Sequence, residues 1–167
     1  MEFFELFDMP INLLVDLKSI QRKYFALCKQ YHPDKFSLQG ADAQEEALEM
    51  TSKINQAKKV LSSAEQRLAY ILREKEILIT DEKYQLKPAF LGEMMEINEQ
   101  LMELEFDEDA EKKAALKQEV SKLEEGIFKE ISTYFESATA DWSEEDLAKL
   151  KDYHYKKKYL ERIKEKL

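Results

Sequence analysis

The sequence predicts an all-α protein made of two helical units. Only 3 glycines and 3 prolines occur in 167 residues, whereas apolar residues make up 44% and charged residues 37%. So few chain-breaking residues argue against a turn-rich β sandwich or barrel. Apolar side chains also recur at spacings of three and four residues over most of the chain, which is the period of an amphipathic helix.

The first unit is predicted over residues 1–76. Its first long helix is stopped by Pro33, because a proline pushes the preceding residue out of helical geometry. A second helix is expected to pack antiparallel to the first, and Ser63 with Gln66 forms a candidate capping box for a third. The aromatic residues 3–7 are expected to close the base of this hairpin. The two long apolar stripes are Leu17, Ile20, Tyr24, Leu27 and Tyr31, and Ala47, Met50, Ile54, Ala57 and Leu61.

A linker is predicted over residues 77–85 and a second unit over residues 86–167. Pro88 suits the first position of a helix, where its missing N–H is not needed, and Ser143 with Asp146 forms another candidate capping box. Three amphipathic helices with short connections predict a three-helix bundle. Their apolar stripes are Phe90, Met94, Ile97, Leu101 and Leu104; Leu116, Val120, Leu123, Ile127, Ile131 and Tyr134; and Leu147, Leu150, His154, Leu160, Ile163 and Leu167.

The net charge of −9 is unevenly distributed along the chain. Residues 1–76 carry 11 basic and 12 acidic side chains, and the remainder carries 15 and 23. An acidic protein is a poor match for nucleic acid, because phosphate binding needs a basic surface. No apolar run approaches the roughly 20 residues that span a bilayer, and the first residues lack the pattern of a targeting segment. We therefore expect a soluble, cytoplasmic protein that binds neither nucleic acid nor membranes.

Few residues are suited to catalysis or to metal binding. Cys28 is the single cysteine, so it cannot form an intrachain disulfide, and its apolar helical context predicts a buried thiol. His32 and Asp34 could act as an acid–base pair or as two metal ligands, but a structural metal site needs three or four ligands. The other histidine, His154, lies in the second unit. We therefore predict no catalytic residues, no metal and no cofactor.

The segment Tyr31-His32-Pro33-Asp34-Lys35 is a more specific indicator of function. It ends a helix with basic residues on its surface, and the antiparallel helix that follows contains Ile54-Asn55-Gln56-Ala57. This arrangement resembles the J-domain, the module with which co-chaperones engage DnaK-class ATPases. The resemblance implies that His32, Pro33 and Asp34 contact the chaperone and favour hydrolysis of its ATP. It also implies that the basic residues Arg22, Lys23 and Lys29 dock on an acidic surface of the chaperone.

Phe25 and Ala26 depart from that pattern. They occupy a stretch of the helix that is usually basic in general-purpose J-domains. The lower charge favours a dedicated chaperone partner.

An acidic segment marks the start of the second unit. Nine acidic residues and no lysine or arginine lie between Pro88 and Glu111. Glu96, Glu99 and Glu103 share one helical face, and like charges at this spacing destabilise a helix by a few tenths of a kcal/mol per pair. The segment is either an ordinary solvated face or a binding face for a basic partner. An adjacent stripe of Leu91, Met95 and Met102 would add apolar contact to such a face.

The whole chain resembles the HscB family of iron–sulfur co-chaperones, in which a J-domain precedes an acidic three-helix bundle. The resemblance implies an HscA-like, DnaK-class chaperone and an IscU-like iron–sulfur scaffold protein as partners. Some eukaryotic members of the family carry a cysteine-rich zinc module before the J-domain. This sequence shows neither that module nor a transit peptide, so a bacterial type of cytoplasmic protein is expected. Gly92 stands where a larger apolar residue is common in the family. The residues implied to contact the scaffold are Leu91, Met95, Glu96, Glu99, Glu103 and Tyr159.

Two other functions are compatible with the sequence. A general J-domain co-chaperone would hold unfolded clients, for which an exposed apolar groove without a charge pattern is expected. A helical adaptor outside the chaperone class would carry His-Pro-Asp by chance and would not stimulate an ATPase.

Overall fold

The computed structural model describes residues 1–106, 109–138 and 141–167, and confirms an all-α fold over them. The chain divides into unit 1, Met1–Glu76 with Glu136–Asp141, and unit 2, Ile77–Phe135 with Trp142–Leu167. The helices are α1 (Glu2–Leu6), α2 (Leu17–Gln30), α3 (Ala41–Ser62), α4 (Ala64–Glu74), α5 (Pro88–Phe106), α6 (Ala110–Lys129), α7 (Ser132–Glu136) and α8 (Glu144–Lys164). No helix among these residues is long and apolar enough to cross a membrane.

Unit 1 is organised around the antiparallel pair α2 and α3. The Tyr24 hydroxyl donates to Asn55 Oδ1 at 2.9 Å, and the Thr51 hydroxyl donates to the Tyr31 carbonyl at 3.1 Å. Tyr31 follows Tyr24 in the chain, whereas its partner Thr51 precedes Asn55. The two helices therefore run antiparallel, as predicted. Its core is formed by Phe4, Phe7, Leu13, Ile20, Ala47, Ile54, Ala57, Leu61, Leu68, Ile71 and Leu72.

Two local predictions for unit 1 are confirmed in part. Ser63 caps α4, since its hydroxyl accepts the backbone N–H of Gln66 at 3.3 Å. The aromatic segment forms α1 and is buried, with the ring of Phe3 stacked 4.7 Å from that of Tyr70. Leu17, by contrast, is exposed although the pattern placed it on the buried face. It is the first residue of α2, where only one neighbouring turn covers it.

Unit 2 contains the three long helices α5, α6 and α8, as predicted. The capping box of α8 is present: the Ser143 hydroxyl accepts the Asp146 N–H, and the Asp146 carboxylate accepts the Ser143 N–H at 2.9 Å. The buried residues come from all three long helices, with Ile131 added from the α6–α7 connection. They are Phe90, Met94, Ile97, Leu101, Leu116, Val120, Ile127, Ile131, Leu150, Tyr153, Leu160 and Ile163.

Two details of unit 2 correct the sequence prediction. The helix expected to continue to Tyr134 ends at Lys129, and the Ser132 hydroxyl bonds the Lys129 carbonyl at 3.3 Å. Serine side chains compete in this way with helical backbone bonds. His154 is only half-buried, because the stripe of α8 passes through Tyr153 and Lys156 instead.

Lys156 can be buried in the bundle because its charge is compensated. Its ammonium lies 2.9 Å from an Asp152 oxygen and 5.7 Å from the centre of the Phe90 ring. A buried lysine without such partners would be strongly unfavourable. A sequence pattern of apolar residues alone could not identify this position as internal.

Part of the predicted linker packs against α8. Tyr84 stacks on Tyr155 with ring centres 4.4 Å apart and donates its hydroxyl to Asp152 at 3.0 Å. Glu82 accepts the ammonium of Lys151 at 2.6 Å. Burial and the Asp152 contact raise the pKa of Tyr84 to about 12. These contacts belong to unit 2, so the segment before α5 is an ordered part of that unit.

Candidate functional site

The His-Pro-Asp segment forms a short, exposed turn after α2. The helix ends at Gln30, and His32 is extended, as expected for a residue that precedes proline. Pro33–Lys35 then forms one turn of 3-10 helix. The Nδ1 atom of His32 accepts the Asp34 N–H at 3.3 Å, and the Ser37 hydroxyl donates to the Asp34 carbonyl at 2.8 Å. The backbone of the turn is therefore held in place, while the side chains of His32 and Asp34 remain exposed to solvent.

The geometry of this turn suits binding rather than catalysis. The His32 side chain is 57% exposed, and its Nδ1 lies 3.6 Å from an Asp34 carboxylate oxygen. An acid–base pair acts in a pocket that excludes water, whereas this pair lies in solvent. Within residues 1–106, 109–138 and 141–167, no three histidine, cysteine, aspartate or glutamate side chains are grouped to hold a metal ion. Cys28 is only partly buried, which corrects the prediction of a buried thiol.

The three basic residues expected beside the turn are not equivalent. Arg22 and Lys29 are exposed on the same face of α2, and Arg22 lies 3.8 Å from Asp16 across the helix start. Lys23 points to another side of the helix, where its ammonium bonds the carboxylate of Asp8 at 3.3 Å. Lys23 is therefore already paired within unit 1, whereas Arg22 and Lys29 are the exposed members of these three residues.

On α5, the exposed face carries an apolar stripe and an acidic stripe side by side. We call this surface the α5 face and define it by Leu91, Met95, Met102, Glu96, Glu99 and Glu103, all of which are exposed. Met95 is 65% and Met102 is 60% accessible to solvent. The opposite side of the helix supplies the core residues, so the exposed methionines are surplus to the packing of the bundle. Such an exposed apolar stripe is typical of a protein-binding surface.

The acidic stripe of the α5 face has no ion-pair partner among the described residues. None of Glu96, Glu99 and Glu103 forms an ion pair within the part of the chain that the structure describes. Asp109 has a structural role, since its carboxylate accepts the N–H groups of Glu111 and Lys112 and caps α6. Those backbone bonds lower the pKa of Asp109. Two further acidic residues of the segment, Asp107 and Glu108, lie outside the described residues.

Tyr159 lies at the edge of the α5 face, on the neighbouring helix α8. Its hydroxyl is 3.4 Å from Nδ2 of Asn98, and its ring meets the ring of Phe90 edge-on with centres 6.2 Å apart. Asn98 also donates to the Met94 carbonyl at 2.7 Å. The structure thus brings Tyr159 beside α5, next to the apolar stripe that contains Leu91.

Phe106 was not predicted from the sequence to lie on this surface. It is the last residue of α5 and is 90% exposed. It lies four residues after Met102, so it continues the apolar stripe. That spacing could have placed Phe106 on the same face of the helix. The α5 face is therefore longer than predicted.

Both parts of the chain match known families. Residues 8–70 match the family model of the DnaJ domain, and residues 86–167 match that of the HSCB C-terminal oligomerisation domain. A co-chaperone protein HscB homolog of Acinetobacter baylyi is 33% identical over 98% of this chain and 86% of its own length. Co-chaperone protein HscB of Proteus mirabilis is 29% identical over 100% and 98%.

Solved structures agree with the sequence comparisons. The crystal structure of human co-chaperone protein HscB matches with a TM-score of 0.80 and 27% identity, covering 99% of this chain and 80% of the human chain. Chaperone HscB from Vibrio cholerae matches with a TM-score of 0.63 and 25% identity, covering 99% and 98%. A DnaJ domain, an HscB C-terminal domain and full-length similarity to HscB proteins occur together in this sequence. The chain therefore belongs to the HscB family of J-domain co-chaperones.

Proposed function

We propose that this chain is an adaptor that stimulates the ATPase of an HscA-like, DnaK-class chaperone and delivers an IscU-like iron–sulfur scaffold protein to it. The observation that carries the second half of this proposal is the α5 face, where glutamates that form no ion pair within the described part of the chain border an exposed apolar stripe. ATP hydrolysis takes place on the chaperone, so the chain itself performs no catalysis and needs no cofactor. The proposed compartment is the cytoplasm.

The proposed chaperone-binding surface consists of Arg22, Lys23, Lys29, His32, Pro33 and Asp34. Arg22 and Lys29 attract an acidic surface, and Coulomb attraction of this kind raises the association rate more than the affinity. The turn at His32 is held by hydrogen bonds between its side chains and its backbone, so little conformational entropy is lost when it docks. Lys23 contributes less directly to chaperone binding, because its ammonium is already paired with the Asp8 carboxylate.

The proposed scaffold-binding surface consists of Leu91, Met95, Glu96, Glu99, Glu103 and Tyr159. Three like charges on adjacent turns repel one another unless another molecule supplies cations. A basic partner would remove that repulsion and cover Met95 at the same time. Methionine suits such a contact because its flexible side chain adapts to the opposing surface.

An adaptor gains from binding both partners at once. A scaffold protein held on unit 2 is kept at a high effective concentration near a chaperone docked on unit 1. We therefore expect ATPase stimulation by the chain and the scaffold together to exceed the sum of their separate effects.

The first experiment is a calorimetric titration of the full chain with the apo scaffold protein. A variant with Glu96, Glu99 and Glu103 all changed to Lys should bind on the order of a hundredfold more weakly, since attraction becomes repulsion. The matched control changes Glu45, Glu46 and Glu49 to Lys, three residues that are exposed on α3 of unit 1. It alters net charge equally and should bind as the unchanged chain does. Equal binding by both variants would refute the α5 face as the scaffold site.

The second experiment measures ATP turnover by the chaperone. His32→Gln should abolish stimulation, while His154→Gln, a change of the other histidine, should leave it intact. Circular dichroism checks that both variants remain helical. Stimulation by the His32→Gln variant would refute the assignment of the turn. Stimulation without scaffold binding would instead leave a general J-domain co-chaperone, and absence of both would leave a helical adaptor of another class.

A further inference from the structure

A large aromatic side chain stands in the middle of the basic face of α2. Phe25 is 62% exposed, and it contributes little to the core of unit 1. It follows Lys18 by seven residues and Arg22 by three, and it precedes Lys29 by four, so all four side chains share one face of the helix. We call these four residues the α2 stripe. Phe25 is therefore flanked by cations on the surface where electrostatic docking is expected.

The neighbour of Phe25 is held by contacts within unit 1. The Tyr24 hydroxyl donates to Asn55 at 2.9 Å, and the Lys58 ammonium lies 4.7 Å from the centre of the Tyr24 ring. The Phe25 ring lies against that anchored ring, with centres 5.7 Å apart and planes tilted by 55°. An aromatic ring supported in this way loses little conformational entropy when it is buried by a partner.

We propose that Phe25 is the residue with which the chain selects its DnaK-class partner, by inserting its ring into an apolar recess bordered by acidic side chains. This inference rests on the proposed function of unit 1 and adds to it a specificity determinant. The chaperone surface that covers the α2 stripe is therefore partly acidic and partly apolar. Carboxylates face Lys18, Arg22 and Lys29, and an apolar pocket faces the ring between them.

Charge complementarity alone does not explain the stripe. Ion pairs between exposed side chains contribute little binding free energy, because both charges are already well solvated by water and salt screens their attraction. A buried aromatic anchor ringed by polar contacts is the arrangement that concentrates binding energy. On a chaperone with the same acidic surface but no recess, the Phe25 ring would pack against charged groups instead of apolar ones. Such a chaperone would bind more weakly. Phe25 therefore discriminates between acidic surfaces that Lys18, Arg22 and Lys29 treat alike.

The test measures how much full-length chain gives half-maximal ATPase stimulation of two purified chaperones, the HscA-like protein and the general DnaK of the same organism. With the HscA-like protein, Phe25→Ala should raise this concentration about tenfold, and Phe25→Leu should recover most of the loss. Leu48→Ala is the matched control, since Leu48 is 55% exposed on α3, outside the α2 stripe. It should have no effect. Phe25→Lys should weaken the HscA-like interaction and strengthen the one with DnaK.

Salt dependence separates the apolar contribution from the electrostatic one. Phe25→Ala should shift the half-maximal concentration equally at all salt concentrations, whereas Arg22→Ala should reduce its dependence on salt. If Phe25→Ala acts like the unchanged chain, or if Leu48→Ala causes the same loss, the inference is wrong while the proposed function stands. If the unchanged chain stimulates neither chaperone, the proposed function fails and the inference with it.

Discussion

The hydroxyl of Tyr159 on α8 lies 3.4 Å from the side-chain nitrogen of Asn98 on α5. Asn98 is held in turn by the carbonyl of Met94, one helical turn earlier. This chain of contacts places the Tyr159 ring at the border of the α5 face. A residue from the last helix thereby becomes part of a surface that belongs mainly to α5.

If Tyr159 contacts the scaffold protein, its ring should matter more than its hydroxyl. Tyr159→Ala should weaken scaffold binding about tenfold, as expected for an aromatic anchor at the edge of an interface. Tyr159→Phe keeps the ring and should change the affinity less than threefold. Calorimetric titration of the full chain measures both. Equal losses in the two variants would mean that the hydroxyl, rather than the ring, makes the contact.

Gly92 should be replaceable by larger residues with a gain in stability. A Cβ atom added at Gly92 meets nothing within 4 Å, and the same holds for Gly126 on α6. Because glycine is unfavourable inside a helix, Gly92→Ala and Gly126→Ala should each raise the free energy of unfolding by about 0.5–1 kcal/mol in urea titrations.

The two glycines should differ in scaffold binding. Gly92 lies among the residues of the α5 face, so Gly92→Leu adds apolar area there and should tighten scaffold binding. Gly126→Ala, on a different helix, serves as the control and should leave the affinity unchanged. A tighter complex for the Gly126 variant would show that stability rather than contact area controls the affinity.

The exposed stripes of α5 and the capping box of α8 could be predicted from the sequence because their signals are local. The α5 face is read from residues three and four positions apart, and the capping box of α8 from Ser143 and Asp146 alone. The contact of Lys23 with Asp8 depends on how the segment before α2 returns to it, so Lys23 looked like another free cation of the helix. Phe106 was missed because it ends α5, where helix boundaries are hardest to predict.

Arg67 is the clearest case of a role that no local pattern reveals. It lies on α4 and is buried, with Nη2 donating to the Leu13 carbonyl at 2.8 Å and Nη1 donating to the Leu61 carbonyl. Burial lowers the pKa of the guanidinium to about 10. An arginine in a helix is normally exposed. Its position here follows from the loop that carries Leu13 and the end of α3 that carries Leu61, which meet only in the folded unit.

Removing Arg67 should therefore destabilise unit 1. Arg67→Met leaves the carbonyls of Leu13 and Leu61 buried without donors and should lower the free energy of unfolding by about 3 kcal/mol. Arg67→Lys should recover less than half, because one ammonium cannot bond both carbonyls in the planar geometry of a guanidinium. Arg73→Met, an exposed change on the same helix, is the control. A loss below about 1 kcal/mol for Arg67→Met would mean that water replaces the lost donors.

Asp146 should make the stability of unit 2 dependent on pH in the acid range. Its carboxylate accepts the Tyr134 hydroxyl at 2.6 Å, the Ser143 hydroxyl at 2.7 Å and the Ser143 N–H at 2.9 Å. These bonds lower the pKa of Asp146 from 3.8 to about 2, the largest effect coming from Tyr134. A carboxyl whose pKa is lower in the folded state binds protons more readily when unfolded. The stabilisation is therefore complete above pH 3.8 and is lost as the pH falls through about 2.

An NMR titration of the side-chain carboxyl carbons in the full chain tests this directly. The midpoint for Asp146 should lie near pH 2, and Tyr134→Phe should move it towards 3.8 because the variant removes the strongest donor. Tyr84→Phe is the matched control, since Tyr84 bonds Asp152 and not Asp146. A midpoint near 3.8 in the unchanged chain would mean that these hydrogen bonds do not persist in solution. The acid sensitivity of unit 2 would then have to arise from other carboxylates, such as Glu124. Burial opposes ionisation of Glu124, but hydrogen bonds from Lys157 and Lys164 together lower its pKa.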